Sequence, residues 1–366
     1  MKRILTIFGT RPEAVKLAPV ILELRKHCDF FENLVCATAQ HREMMDQVLE
    51  WFQIRPDYDL NLMQADQSLA DFASRALVAI SGVLQKIQPD AILVQGDTTT
   101  VMVAALAAFY QRIPVGHVEA GLRTCDRYNP FPEEINRRIA GTLATLHFAP
   151  TERAAAALRT EHVPEQNIFV TGNTVVDALL MTVRRSLNLE LDFSLDGRHL
   201  ILVTAHRRES FGAPFKSLCL ALKDLAERNL NVEIVYPVHL NPNVRAPVGD
   251  LLTGHPRIHL LEPMRYEHFI HLMARAYLIL TDSGGIQEEA PVLGKPILIM
   301  RETTERPEAI EAGTARLVGT NRHRIVAEAE RLLRDGEIYS QMAHAGSPFG
   351  DGHAAERIAN ILSTRI

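Results

Sequence analysis

Residues 278–290 read Leu-Ile-Leu-Thr-Asp-Ser-Gly-Gly-Ile-Gln-Glu-Glu-Ala, and they give the clearest local signal of the fold. A short apolar run stops at Asp282, two glycines follow, and a helix-forming pattern begins after them. This order predicts a buried strand, a tight turn and a helix. Free N–H groups at a helix start favour anions, so the turn of Ser283, Gly284 and Gly285 is a candidate diphosphate site.

Two acidic residues follow this turn inside the predicted helix. Glu288 or Glu289 is placed to accept hydrogen bonds from ribose hydroxyls. An ordinary capped strand–helix turn explains the same residues, because a Gly-Gly turn alone is a weak motif. The choice between the two interpretations depends on the rest of the chain.

The composition is that of a globular protein with room for two domains. Hydrophobic residues make up 47% and charged residues 23% of the 366 residues. The net charge of −5 gives no sign of a general nucleic-acid or membrane-surface binder. The four cysteines form no CxxC pair and no metal-binding spacing, which is typical of free thiols in a reducing compartment.

Targeting and membrane signals are absent from the sequence pattern. The apolar run at residues 4–8 is too short, and too soon followed by charge, to be a signal peptide. No stretch approaches the roughly 18 apolar residues of a spanning helix. We therefore expect a cytoplasmic protein.

Strand-like and helix-like segments alternate along the whole chain, which predicts two parallel, doubly wound α/β domains. The junction is placed between residues 171 and 198, with 1–171 as the first domain and 172–352 as the second. Residues 56–62 read as a linker. The strands are predicted at residues 4–8, 34–38, 91–94, 114–118, 146–149, 168–171, 200–204, 232–236, 258–261, 278–281, 296–300 and 315–318.

Basic residues follow the first predicted strand of each domain. Arg11 and Lys16 stand at or just inside the start of the first helix, where two cations suit a phosphate. A solvated pair on an exposed helix start fits them equally well. His206 is followed by Arg207 and Arg208, and this cluster favours an anion contact over a simple turn.

Three carboxylates come from two successive strand–helix connections of the first domain. Asp97 and Glu119 follow strand ends. Glu133 opens a helix on which Arg137 lies one turn later, so we expect these two side chains to pair. Singly, each is more often a cap or a surface residue. Together, because such connections converge on one crevice, they indicate acid–base chemistry.

Several longer stretches carry these residues in a fixed order. They are 8–14 (Phe-Gly-Thr-Arg-Pro-Glu-Ala), 38–44, 96–100, 117–124 (His-Val-Glu-Ala-Gly-Leu-Arg-Thr), 132–134, 206–212, 283–290 and 347–352. In these stretches the chain resembles the non-hydrolysing UDP-N-acetylglucosamine 2-epimerases of bacteria, and the resemblance covers effectively the whole chain.

The resemblance implies a GT-B type fold, with two Rossmann-like domains facing a cleft that holds the ligand. The last helix, at residues 353–366, would pack back on the first domain. The implied ligands are UDP-N-acetylglucosamine and UDP, with no cofactor, no metal, no nucleic acid and no membrane partner. We also expect a homodimer.

The resemblance also assigns roles to individual residues. Catalytic roles fall on Asp97, Glu119, Glu133, Arg137 and His206. Substrate-binding roles fall on Arg11, Lys16, Phe269, Ser283, Gly284, Gly285, Glu289 and Arg306. A second, activating UDP-N-acetylglucosamine site of some bacterial members falls on Gln40, His41, Arg207 and His239.

Four positions depart from the family pattern. Gln95 stands where a His is common, Phe131 where a Trp is common, Met264 where a polar residue often lies near uracil, and Cys125 where a smaller residue is usual. None of these changes removes a charged catalytic group. They therefore bear on substrate contacts rather than on the reaction.

The chemistry of the sugar limits the mechanism. The C2 proton of N-acetylglucosamine has no adjacent ring carbonyl and is not acidic, so simple deprotonation is implausible. The family solution is elimination of UDP to 2-acetamidoglucal, followed by re-addition with C2 reprotonated on the other face. The alternatives are a GT-B glycosyltransferase, which requires an acceptor, and a nucleotide-sugar sensor, which never exchanges the C2 proton.

Overall fold

Strands and helices alternate throughout the computed structural model, which describes residues 1–38, 42–64, 67–195 and 197–366. Contacts divide the chain into two compact units, Met1–Met181 with Phe349–Ile366, and Thr182–Pro348. Within the described residues, no helix combines the length and the apolar character needed to cross a membrane.

The first unit is built on a parallel sheet. Its strands are β1 (Lys2–Phe8), β2 (Phe31–Ala37), β3 (Tyr58–Asp59), β4 (Ala91–Gln95), β5 (Val115–Val118), β6 (Leu146–Ala149) and β7 (Ile168–Val170). They lie in the order β3-β2-β1-β4-β5-β6-β7. Its helices are α1 (Arg11–Lys26), α2 (Arg42–Phe52), α3 (Leu69–Ile87), α4 (Thr99–Tyr110), α5 (Glu133–Leu143), α6 (Glu152–Thr160) and the start of α7 (Thr174–Val183).

The second unit repeats this plan. Its strands are β8 (His199–Thr204), β9 (Val232–Pro237), β10 (Ile258–Leu261), β11 (Leu278–Thr281), β12 (Ile297–Ile299) and β13 (Ala315–Leu317), in the order β10-β9-β8-β11-β12-β13. Its helices are α8 (Ala213–Arg228), α9 (Pro242–Leu252), α10 (Tyr266–Arg275), α11 (Gly284–Glu289), α12 (Pro307–Glu311), α13 (Arg322–Arg334) and α14 (Gly336–Ala343). The chain ends with α15 (Ala354–Arg365).

Burial on both faces explains why the central strands read as continuous apolar runs. Ile4, Leu5, Ile7 and Phe8 of β1 are all fully buried. Helices cover both faces of an all-parallel sheet, so neither face needs polar residues. Burying each such side chain contributes roughly 1.5–3 kcal/mol before the entropy of ordering the chain is counted. The prediction of two parallel, doubly wound domains is confirmed.

Each sheet has one point at which the strand order reverses. In the first unit it lies between β1 and β4, and in the second between β8 and β11. Ligands of such folds bind outside the carboxyl ends of the strands at this point. The loops after these four strands are therefore where each unit offers a binding surface.

One predicted linker contains a strand. Residues 56–62 include β3, whose Tyr58 and Asp59 pair in parallel with Cys36 and Ala37. Asp57 assists this pairing, because its side chain accepts the N–H of Val35 at 2.8 Å. A two-residue edge strand is too short to show an apolar pattern, so the linker interpretation was wrong here.

The division between the units falls after Met181, whereas the predicted domains divide after Thr171. Helix α7 is held in the first unit by the returning chain. Asp177 accepts the N–H groups of Ala354 and Ala355 at 3.3 and 2.9 Å, which caps α15. Helix α15 in turn contacts α1.

Candidate functional site

The loop after β4 presents Asp97 to a basic residue. Asp97 Oδ2 accepts a hydrogen bond from Arg137 Nη2, on α5. Arg137 also binds Glu134, at 3.3 Å, so the expected pair with Glu133 is wrong. The reason is that the fully buried Glu134 faces inward and receives Thr124 N–H and the guanidinium groups of Arg137 and Arg138.

Glu119 follows the neighbouring strand β5 in an unusual backbone conformation. Its φ is +62°, a left-handed value that is uncommon for a residue other than glycine. Its carboxylate is bound to Lys16 of α1, and both side chains are mostly buried. Lys16, which was predicted to bind phosphate, thus forms an ion pair with Glu119, which was predicted to be catalytic. A non-glycine residue held at such φ values is often found at functional sites.

Glu133 stands at the first position of α5, after two successive cis X–Pro bonds, Asn129–Pro130 and Phe131–Pro132. One of its carboxylate oxygens is buried and has no hydrogen-bond partner among the residues that the structure describes. The three predicted carboxylates therefore all lie at the carboxyl edge of the first sheet. They differ in their partners, since Asp97 binds Arg137 and Glu119 binds Lys16.

His117, to which sequence reasoning gave no role, connects the two loops that carry Asp97 and Glu119. Its Nε2 lies 2.7 Å from the carbonyl oxygen of Gly96, and the N–H of Gly96 donates to Val118 O at 3.0 Å. Burial lowers the pKa of His117 to about 3. The ring is therefore neutral and donates its Nε2–H to the carbonyl. Its place two residues before Glu119 was the available signal.

Glu13 is a second buried group that sequence reasoning missed. One carboxylate oxygen accepts the N–H groups of Gly9 and Thr10 at 3.1 and 2.8 Å, and the other accepts the Thr98 hydroxyl at 2.9 Å. It thus joins the loop after β1 to the loop after β4, and burial raises its pKa to about 7. The Thr-x-x-Glu spacing from Thr10 is a capping-box signal that the sequence does contain.

Arg11 is the first residue of α1 and lies beside α2. Its Nη1 is 3.9 Å from the sulfur of Met44. Gln40 and His41, which were assigned to the second nucleotide-sugar site, lie outside the described residues.

In the second unit, the loops after β8 and β11 are joined by Asp282. Its Oδ2 accepts the backbone N–H groups of both His206 and Arg207, each at 2.7 Å. The Tyr236 hydroxyl donates to Ala205 O at 2.6 Å, just before them. The His206 ring stacks on His239, with centroids 5.3 Å apart, so residues predicted for two different sites are neighbours.

The Ser-Gly-Gly turn is open above its glycines. A Cβ added to Gly284 would meet Arg207 Nη2 at 3.8 Å, and one added to Gly285 would meet Ser283 Oγ at 3.9 Å. The N–H of Ser283 already donates to Thr281 Oγ1 at 2.9 Å. The anion site expected at this turn thus depends on the two glycines and the Ser283 hydroxyl, with the Arg207 guanidinium close by.

The remaining predicted substrate contacts surround this turn. Arg306 Nε binds Glu288, which is almost fully buried. Of the two acidic residues proposed for ribose, Glu288 thus serves as the partner of Arg306. Glu289 is slightly more exposed, and Phe269 lies half-buried on α10.

These features define the class of protein. The chain has two Rossmann-like domains. The first carries acid–base groups at its strand ends, and the second carries an open Ser-Gly-Gly turn beside His206 and Arg207. This combination is typical of two-domain nucleotide-sugar enzymes. Among the described residues, no group of three His, Cys, Asp or Glu side chains is arranged to hold a metal ion.

Comparison with known proteins identifies the family. The family model for UDP-N-acetylglucosamine 2-epimerase matches residues 23–363. The UDP-N-acetylglucosamine 2-epimerase of Escherichia coli O157:H7 is 54% identical over 369 residues, covering 98% of both chains. The chain belongs to the UDP-N-acetylglucosamine 2-epimerase family.

Two solved structures extend the match to three dimensions. The Neisseria meningitidis UDP-GlcNAc 2-epimerase bound to UDP-GlcNAc is 48% identical, with a TM-score of 0.91 over 99% of this chain and 100% of that one. The Methanocaldococcus jannaschii enzyme in complex with UDP-GlcNAc and UDP is 34% identical, with a TM-score of 0.81 over 99% of each chain.

His117 should make the first unit sensitive to acid. Its folded pKa of about 3 lies below the usual 6.5, so below about pH 6.5 the unfolded chain binds a proton that the folded chain does not. The His117 contribution to the free energy of unfolding should then fall, as pH drops towards 3, by up to about 1.4 kcal/mol per pH unit. His117→Gln keeps an amide donor for Gly96 O and should remove this slope.

Urea unfolding between about pH 4 and pH 7 measures this slope, followed by the fluorescence of Trp51, the single tryptophan, which lies in α2. His162→Gln, at an exposed histidine of the same unit, is the control and should retain the wild-type slope. Equal slopes in wild type and His117→Gln would show that His117 is not buried neutral.

Proposed function

We propose that this chain interconverts UDP-N-acetylglucosamine and UDP-N-acetylmannosamine by eliminating UDP and adding it back. The observation that carries the proposal is the placement of Asp97 and Glu119 after adjacent strands β4 and β5, each bound to a basic side chain. The similar structures from Neisseria meningitidis and Methanocaldococcus jannaschii hold UDP-GlcNAc, which supports this substrate.

The elimination step requires a base at C2 and a stabilised leaving group at C1. A carboxylate removes the C2 proton, the C1–O bond breaks with its electron pair passing to UDP, and a C1–C2 double bond forms. In the return step UDP attacks C1 and an acid protonates C2 on the opposite face. Asp97, Glu119 and Glu133 supply the acid–base groups, and Arg137 and Lys16 hold two of them in place.

The leaving diphosphate requires cationic groups and N–H donors. In the second unit, His206, Arg207 and the glycines of the Ser-Gly-Gly turn lie within one loop cluster. Arg11, the first residue of α1, is a further proposed contact to the ligand. Such groups stabilise the charge that develops as UDP leaves, which raises the rate of elimination. Phe269, Glu289 and Arg306 are the proposed contacts to the nucleoside.

The test of this mechanism is proton NMR of UDP-N-acetylglucosamine incubated with the enzyme in D2O. We expect a mixture of the gluco and manno sugars, both carrying deuterium at C2, because the abstracted proton exchanges with solvent. Product that keeps protium at C2 would exclude the mechanism. UDP release that depends on an added acceptor would indicate a glycosyltransferase, and binding without exchange would indicate a sensor.

Two isosteric variants extend this experiment. Glu119→Gln and Asp97→Asn should each lose about 10²–10⁴ in rate while still binding UDP, since losing a general acid or base has this effect. Glu152→Gln, at an exposed carboxylate of α6 that binds Arg159, is the control and should retain full activity. Near-normal turnover in either site variant would remove that residue from the chemistry.

We also propose a second, activating UDP-N-acetylglucosamine site that includes Gln40, His41, Arg207 and His239. The contact of His239 with His206 supports coupling between this site and the reaction. We expect sigmoidal dependence of the rate on UDP-N-acetylglucosamine and little reverse reaction from the manno sugar alone. Hyperbolic kinetics in both directions would count against a second site.

The working assembly is proposed to be a homodimer. Sedimentation equilibrium should then give a mass about twice the 40.9 kDa of one chain. A mass of one chain at micromolar concentration would refute this proposal.

A further inference from the structure

The loops after β8 and β11 are adjacent because their strands pair directly. Thr204 and Thr281 are partners in the parallel register, and their hydroxyls lie 2.6 Å apart. His206 comes two residues after one strand end, and Asp282 follows the other immediately. The sheet therefore fixes the distance between these two residues before any side chain is considered.

Asp282 uses one carboxylate oxygen to hold the histidine loop. The carboxylate is 1% exposed, and its Oδ2 accepts two backbone N–H groups, those of His206 and Arg207, at 2.7 Å each. Two donors on one oxygen fix the orientation of the carboxylate. They also fix where the His206 side chain leaves the backbone.

The second oxygen faces the imidazole. Oδ1 is buried and has no hydrogen-bond partner in the described part of the chain, and it lies 3.5 Å from Nδ1 of His206. A buried carboxylate oxygen left without a donor costs about 1–3 kcal/mol or more. A proton on His206 Nδ1, at this distance, would supply a donor to that oxygen.

The charges around His206 oppose one another. Burial lowers the pKa of His206, and the nearby Asp282 raises it, while His239 and Arg207 lower it further. Among these groups only Asp282 favours the imidazolium ion. Removing the charge of Asp282 should therefore lower the pKa of His206.

We propose that Asp282 is a positioning residue that keeps the proton of His206 on Nδ1 and directs Nε2 towards the departing diphosphate. The proposal rests on the function proposed above only in the role given to His206. A carboxylate on one ring nitrogen fixes the tautomer and orientation of the ring and stabilises its charged form. In this arrangement Nε2 is the nitrogen that gains a proton when the ring becomes charged and donates to a phosphate oxygen.

Asp282→Asn is the sharpest test because it keeps the shape of the side chain and one oxygen. With the amide oxygen accepting the two backbone N–H groups, the amide NH2 takes the place of Oδ1. An NH2 group donates, so Nδ1 must then be unprotonated. We expect the neutral ring to change to the Nε2–H tautomer and its pKa to fall by about one pH unit or more.

The measurement is a pH titration of the ¹⁵N-histidine-labelled full chain by NMR, with His206 assigned from the signals lost in His206→Gln. In the wild-type protein the neutral His206 ring should be the Nδ1–H tautomer. In Asp282→Asn it should be the Nε2–H tautomer, and the pKa of His206 should be lower. Asp224→Asn is the control, because this aspartate of α8 binds Arg322 and Arg228 in the same unit. It should leave His206 unchanged.

Turnover gives a second readout. In Asp282→Asn, kcat should fall at least about tenfold, and the limb of its pH profile that reports His206 should move to lower pH. An Nε2–H tautomer in wild type would overturn the proposal even if the variant fails to fold, and so would an unchanged tautomer and pKa in a folded variant. The NMR titration of His206 does not require epimerisation. The absence of C2 exchange in D2O would therefore refute the proposed function without contradicting the proposed interaction of Asp282 with His206.

Discussion

Parallel strands end in backbone groups that the neighbouring strands no longer pair, and in a buried crevice these groups need other partners. In both units, buried side chains meet this need. Glu13 and His117 bind the loops at the reversal point of the first sheet, and Asp282 and Tyr236 bind those of the second. Among the residues proposed to act on the sugar nucleotide, Asp97, His206 and Arg207 stand on loops that these hydrogen bonds hold in place.

These hydrogen bonds hold the loops firmly because the side chains that make them are buried. A hydrogen bond to a charged group contributes about 1.5–3 kcal/mol, and a buried donor left unpaired costs a similar amount. Asp282 satisfies two donors and Glu13 satisfies three. Leaving these donors unpaired would therefore cost more than losing an exposed ion pair, which contributes about 0–1 kcal/mol. The surface pairs of α6 and α13 therefore matter less to the geometry of the site than these few buried groups.

The sequence predicted the architecture because apolar runs and turn residues are local signals. Strands β6, β10 and β11 have the predicted ends, and Asp97, Glu119 and His206 lie at strand ends as expected. Partners were harder to predict, because they depend on the rotation of a helix and on long-range packing. Arg137 binds Asp97 rather than Glu133 for this reason, and the positive φ of Glu119 leaves no trace in the order of residues.

The second unit is an insertion within the sequence of the first, since the chain leaves the first unit after Met181 and returns at Phe349. On the ribosome, residues 349–366 are therefore made after the whole second unit. Until then Asp177 has no helix to cap, and α1 lacks the neighbour that α15 provides. The first unit, whose synthesis begins first, can thus complete its folding only after the whole second unit has been synthesised.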